Sequence, residues 1–129
     1  MDIRIKRAYE PPARDDGARI LVDRVWPRGL RKEALALDLW LKDIAPSAQL
    51  RKWFDHRSAR FAEFARRYHV ELEANPDAVA QLQPWLRKGR VTLVYGARDE
   101  THNQAAVLRD WLLQRQESRA VTGSPRSRG

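Results

Sequence analysis

Two short runs of β-branched, aliphatic and aromatic residues, Ile20-Leu21-Val22 and Val91-Thr92-Leu93-Val94-Tyr95, constrain this chain more than any other feature of it. A strand with one face in water alternates apolar and polar side chains, so an unbroken run predicts a strand buried on both faces. Trp26-Pro27-Arg28-Gly29 breaks the first stretch, which spans Ala18 to Val25, and Gly96 follows the second. The segments between them carry a helical period. Buried strands followed by helices predict an α/β fold: a three-layer single domain with a mostly parallel sheet of about four strands, flanked by helices. The run at Ile20-Leu21-Val22 is the central-strand candidate.

The remaining elements follow from local pattern. Ile3 to Tyr9 opens as apolar-basic alternation and stops at Glu10-Pro11-Pro12, which predicts a strand with one buried face. Leu recurs at every second position from Leu35 to Leu41, a period of two that predicts a third strand despite residues with good helix propensity. Ser47, after Pro46, is placed to cap a helix carrying Leu50, Trp53 and Phe54. Phe61, Phe64, Ala65, Tyr68 and Leu72 share one face of a helix from Ser58 to about Glu73. Asn75-Pro76 opens another, which Gly89 closes. Thr101 and Gln104 have capping-box spacing ahead of Val107, Leu108, Trp111 and Leu112. The link from Tyr9 to Ala18 is shorter than the dozen or so residues usual for a parallel crossover, so an antiparallel first pair stays open.

With 129 residues, 43% hydrophobic and 33% charged, the chain suits one core, and residues 1–117 are expected to form it. Residues 118–129 hold little to bury and are rich in Ser, Gly and Arg, so a disordered basic tail is expected there. No apolar run approaches the ~20 residues that span a bilayer, and Met1-Asp2-Ile3-Arg4 does not resemble a secretory leader, so a cytoplasmic protein without a membrane partner is expected. The absence of Cys excludes disulfides, thiolate nucleophiles and Cys-ligated metals. Net charge is +8, unevenly spread: +6 over residues 1–67, −1 over 68–117 and +3 over the tail. A basic first half favours anionic partners, either a small phosphate- or carboxylate-bearing ligand or, alternatively, nucleic acid.

In open α/β sheets ligands bind beyond the carboxyl ends of the strands, where loops and helix N-termini converge. Three segments follow the predicted strands: Asp23-Arg24-Val25-Trp26-Pro27-Arg28, then Lys42 with Ser47, then Arg98 and Asp99 with His102 and Asn103. On a parallel sheet all three share one rim, which would suit an anion through helix N-termini and guanidinium groups. The expected ligand-binding residues are therefore Arg24, Arg28, Trp26, Lys42, Ser47 and Asn103. His102, oriented by Asp99, and Asp23 are the candidates for proton transfer. The plainer reading is that Asp23 and Arg24 form structural ion pairs, that Arg28 and Arg98 are solvated charges, and that Asp99 only caps a helix. His56 and His69 are weaker candidates, and no spacing points to a metal or another cofactor. There is no Gly-x-Gly-x-x-Gly after the first strand, no Walker A loop and no Gly-x-Ser-x-Gly elbow, which argues against dinucleotide enzymes, P-loop enzymes and α/β-hydrolases. Of the five Trp, those at 53 and 111 are expected in the core, while Trp26 and Trp40 lie near the rim. Whether the chain is an enzyme stays open.

Several of these segments together carry a resemblance. Ile3-Arg4-Ile5-Lys6-Arg7, the run from Leu21 to Gly29, Asp38-Leu39-Trp40-Leu41-Lys42 with Ala45-Pro46-Ser47, Leu50-Arg51-Lys52-Trp53-Phe54, and Val91 to Tyr95 with Asp99, His102 and Asn103 resemble the YeaO-like proteins, a family of domains of unknown function numbered 488. The likeness covers residues 3 to 115 in order. It implies a three-layer α/β fold with a mostly parallel sheet. In wider relatives the last strand tends to end in a Cys, with a Cys-His-Arg-like segment after it, where this chain has Tyr95 and Thr101-His102-Asn103. Thiol chemistry therefore does not carry over.

Overall fold

The computed structural model describes residues 1–126 of the chain, with side chains described to residue 116. Four strands form one parallel sheet: β1 (Ile3–Arg7), β2 (Ala18–Leu21), β3 (Leu39–Trp40) and β4 (Val91–Tyr95), in the order β1-β4-β2-β3. The two uninterrupted runs are the two inner strands, which is why both of their faces are apolar. β4 lies between β1 and β2, pairing Ile5 with Leu93 on one side and Ile20 with Leu93 on the other. The first two strands are therefore parallel to each other but not neighbours, and the short link between them crosses β4, which lies between them.

Period-two alternation sorts the strand residues onto two faces. Ile3, Ile20, Val22, Val91, Leu93 and Tyr95 face a core shared with α2 (Ala48–Phe54), α3 (Phe61–Glu73), α4 (Pro76–Lys88) and α5 (Gln104–Arg126). Leu21 and Val94 point the other way, into a smaller cluster with Ala8, Leu35, Trp26 and Trp40. This second layer is thin, made of one helical turn, α1 (Lys32–Leu35), and loops. Tyr68, fully buried, ties the main helical layer to the chain after β3 by donating its hydroxyl to the Ile44 carbonyl at 2.6 Å.

Two local expectations are corrected. The strand expected from Leu35 to Leu41 is reduced to Leu39–Trp40, because Leu35 ends α1 and Ala36 turns the chain through a left-handed conformation at φ 48°. The alternating Leu residues had two different reasons to be apolar, since Leu35 fills the small cluster and Leu41 the large one. The Thr101–Gln104 capping box does not form. Asn103 caps α5 instead, its Oδ1 accepting from the Ala106 N–H at 2.9 Å, and the Gln104 side chain turns away to Asp23. α5 runs to Arg126; the basic tail was expected over residues 118–129, of which residues 127–129 lie outside the described residues. No helix among the described residues is long and apolar enough to cross a membrane.

Candidate functional site

β2 and β4 are adjacent, yet the chain leaves their carboxyl ends in opposite directions. From β2 it passes to α1 on the thin side, and from β4 to α5 on the helical side. Such a parting leaves a crevice at the strand ends, where α/β proteins bind ligands. A cavity of about 310 Å³ opens there. Asp23, Arg24 and Val25 line it from the β2 end, and Ala97, His102 and Asn103 from the β4 end. α2 closes a third side with Ala48, Arg51, Lys52 and, just past its last turn, Asp55 and His56. Phe54 and Phe64 form an apolar wall.

Asp23 anchors the crevice. One carboxylate oxygen accepts the Gly96 N–H at 2.8 Å and the other accepts from the Gln104 side chain, so the ends of β2, β4 and α5 meet on one carboxylate. Gly96 packs closely here, since a Cβ would stand 3.0 Å from that carboxylate and Asp23 would have to shift by a few tenths of an ångström to admit it. Burial pushes the Asp23 carboxyl up to about 6, although the two hydrogen bonds and the charges of Arg51 and His56 act the other way.

Two guanidinium groups reach the same space with donors to spare. Arg24 Nε and Arg51 Nε are buried and have no hydrogen-bond partner among the described residues. Arg24 makes one long contact to the Ala45 carbonyl at 3.4 Å. An uncompensated buried donor is costly, of order 1–3 kcal/mol, and groups left in that condition call for an explanation. The backbone at the mouth adds a second departure from the ordinary. Asp55 and His56, which end α2 and line the cavity, hold consecutive positive φ angles of 50° and 54°. Asp and His tolerate this region better than most residues but still pay for it.

His102 sits at the start of the α5 segment with its ring edge against Phe61. Asp99 orients it: one carboxylate oxygen accepts the backbone N–H groups of Thr101 and His102, both at 2.9 Å, and the other lies 3.0 Å from His102 Nδ1. Those backbone donors, together with the His102 and Thr101 side chains, hold the Asp99 carboxyl well below the usual carboxylate range. With Nδ1 engaged, Nε2 is the nitrogen left for a ligand. Asn103 lines the cavity but spends its amide on the Asp99 carbonyl and the Ala106 N–H.

Of the residues singled out from sequence, Asp23, Arg24, His102 and Asn103 are thus brought together, with Asp99 behind His102. The others lie elsewhere. Trp26 stacks edge-on against Trp40 in the thin layer, its indole N–H bonded to the Leu30 carbonyl, and Lys42 covers the Trp40 ring. Arg28 is exposed, away from the cavity lining, and its carbonyl accepts the Tyr9 hydroxyl. Ser47 caps α2 as expected, accepting from Leu50 N–H, but its hydroxyl donates to Glu71 at 2.6 Å and does not line the cavity. Arg51, Lys52 and Gln104 were not singled out for this role, and His56 was ranked low. The available signal was the basic pair Arg51-Lys52 beside Phe54 and the Asp55-His56 turn that ends α2.

No group of three or more His, Asp or Glu among the described residues is placed to hold a metal. Tyr95, at the end of β4, is buried, and its phenol is pushed up to about 12. Residues 2–128 match the family described as the inactive DUF488-N3 subclade. The chain belongs to that family. Among the relatives of this DUF488 protein is the uncharacterized protein YeaO of Escherichia coli, 46% identical over 112 residues, which are 87% of this chain and 97% of YeaO. An uncharacterized protein of Mycobacterium tuberculosis is 44% identical over 110 residues, 85% of this chain and 92% of that relative. No solved structure matches this DUF488 chain.

Proposed function

We propose that this protein binds a small anionic ligand in the crevice between the ends of β2 and β4, and binds it without chemical turnover. The observation that carries the reading is that Arg24 and Arg51 both line one cavity, each with a buried Nε that has no hydrogen-bond partner among the described residues. A phosphate or carboxylate oxygen is the natural acceptor for such donors. Lys52 lines the same cavity and adds a third cation.

Three observations favour binding over catalysis. No Cys is available as a thiolate nucleophile, and the Tyr95 phenol is pushed up to about 12, so it stays protonated at neutral pH. Asp23 is committed to Gly96 and Gln104, so His102 and Asp99 have no third group arranged to share proton transfer. The family description, an inactive subclade, agrees with a site that keeps its shape and has lost its chemistry. Nucleic acid is less well served. The exposed Arg66 and Arg67 share the one carboxylate of Glu63, and Arg60 and Arg67 already cover the Trp53 ring that a base would need for stacking.

Thermal denaturation with added inorganic phosphate or citrate, against sodium chloride at equal ionic strength, tests the reading. At about ten times Kd, a single site stabilises by about 1.4 kcal/mol, a rise of about 4–7 °C in Tm for a chain of this size. Arg24→Met should abolish the rise while the unliganded Tm stays within a few degrees. Equal stabilisation of wild type and variant by both anions would overturn it.

A further inference from the structure

We propose that the crevice binds its anion together with a proton: Asp23 takes one up as the anion enters, so the site is strong in mildly acidic solution and weak in mildly alkaline solution. This rests on the reading of the crevice as an anion site and adds its regulation.

The cavity holds a carboxylate among the very cations an anion would need. Arg24, Arg51 and Lys52 line it together with Asp23 and Asp55, three positive charges against two negative ones. The single positive charge left over is a weak attraction, and loss of the Asp23 charge doubles it. Asp55 matters less, because its side chain is 63% exposed and lies 3.5 Å from Arg57. An anion on these guanidinium groups shares the cavity with whatever charge Asp23 carries. Two like charges in one site drive the group that can accept a proton to take it.

The partners of Asp23 suit both of its protonation states. Asp16, a buried carboxylate elsewhere in the fold, shows the contrast. Burial pushes it up, but the Ala13 N–H, Lys6 at 3.2 Å and Arg19 at 2.7 Å hold its carboxyl below the usual range. Asp23 lies in a cavity with two guanidinium groups and is bonded to neither; its partners are the Gly96 N–H and the Gln104 side-chain amide. The backbone N–H needs one unprotonated oxygen, which the acid form still has. The amide offers a donor or, turned over, an acceptor, so Gln104 serves the second oxygen with or without a proton. The charged and titratable groups facing Asp23 are Arg24 on its own loop, Arg51 on α2, His56 just past α2, and Tyr68 on α3, whose phenol burial pushes up and keeps neutral. His102, ahead of α5, lines the same cavity with Asp99 behind it. Burial already brings the Asp23 carboxyl up to about 6, so an anion has only to carry it past neutrality.

Isothermal titration of the full chain with sodium sulfate, at constant ionic strength from pH 5 to pH 8, is the test, because sulfate keeps its double charge throughout. If binding requires the proton, each pH unit above about 6 weakens it by at most about tenfold. Affinity should therefore fall about ten- to a hundredfold between pH 5 and pH 8. Asp23→Asn, neutral at every pH, should match wild type at pH 5 within about threefold and bind at least about tenfold more tightly at pH 8. Charge changes at His56 and His102 are common to both proteins and cancel in that comparison. At pH 7, heats measured in bis-Tris and in imidazole, cationic buffers of different ionisation enthalpy, should show about a half to one proton taken up per sulfate bound. If Asp23→Asn fails to fold, His56→Gln combined with His102→Gln should still take up protons on binding, and loss of that uptake would overturn the proposal. A wild-type affinity that is flat across the range, or a variant that tracks wild type at every pH, would overturn it too. Sulfate binding that depends on Arg24 would in each case leave the anion site standing. No sulfate binding even at pH 5 would overturn both readings.

Discussion

Asp23→Asn should make the protein more stable at neutral pH, even though it removes a charge at the junction of three elements. The Asp23 carboxyl ionises at about 6 in the folded chain, against 3.8 for the free side chain. Two pH units correspond to about 3 kcal/mol. The folded form therefore holds a proton that the unfolded form has released between those two values. Stability from this group is fully present below 3.8 and is lost as pH rises through about 6. Above pH 7 the buried carboxylate costs the fold about 3 kcal/mol relative to a neutral side chain. Asn is neutral at every pH and keeps an oxygen to accept the Gly96 N–H; a flip of the Gln104 amide would restore the second bond. Urea denaturation of both proteins from pH 4 to pH 8 isolates the effect, because every other carboxylate is common to the two. The gap should be near zero at pH 4 and should open to about 2–3 kcal/mol in favour of the variant at pH 8. With a urea m-value of about 1.5–2 kcal/mol/M, the midpoints then separate by about 1–2 M. Parallel pH profiles would refute the reasoning, since they would mean that Asp23 ionises alike in the folded and unfolded chains.

Two further outcomes follow from local geometry. Gly17→Ala should cost at least about 3 kcal/mol in urea denaturation, because φ is 67° with ψ −141°, a region open to glycine alone, and a Cβ would meet the Arg90 carbonyl oxygen at 2.3 Å. A loss under about 1 kcal/mol would show that the turn into β2 relaxes freely. Ser47→Ala should cost about 1–2 kcal/mol through the lost cap on Leu50 and the lost bond to Glu71, yet leave phosphate-induced stabilisation unchanged. Loss of that stabilisation with the fold intact would return Ser47 to the binding site.

What could be read from the chain divides along the line between local and non-local physics. The inner strands were legible because burial on both faces leaves a continuous apolar run, and α2, α3 and α4 because caps, Pro76 and Gly89 punctuate a 3.6-residue period. The Leu35–Leu41 stretch misled because a period of two does not say which core each residue fills, and here the two ends fill different ones. The helix start at residues 101–104 misled for a related reason. Thr101 and Gln104 have the right spacing, but Gln104 has a better partner far away in sequence, the buried carboxylate of Asp23. No window of sequence contains both.

The candidate site shows the same division more sharply. Looking past the strand ends found Asp23, Arg24, His102 and Asn103, because that rule depends on direction along a strand, which the sequence carries. It also drew in Trp26, Arg28 and Lys42, because the rule is silent about which side of the sheet a loop takes. The chain leaves β2 toward the thin layer, so the farther a residue lies beyond Asp23, the more it belongs to that layer; Trp26 packs there with Trp40, and Lys42 lies over the Trp40 ring. Arg51 escaped notice for the converse reason. It lies on a helix whose Leu50 and Phe54 read as core, and only the placement of β4 between β1 and β2 brings that helix over the ends of the inner strands. The unpartnered donors of Arg24 and Arg51 therefore share a cavity by virtue of strand order, which is set by pairing across about seventy residues of chain and not by any motif. A search for such sites in similar folds should start from adjacent parallel strands whose connections part to opposite faces, and then ask which helix on the thicker side turns a basic residue into the gap.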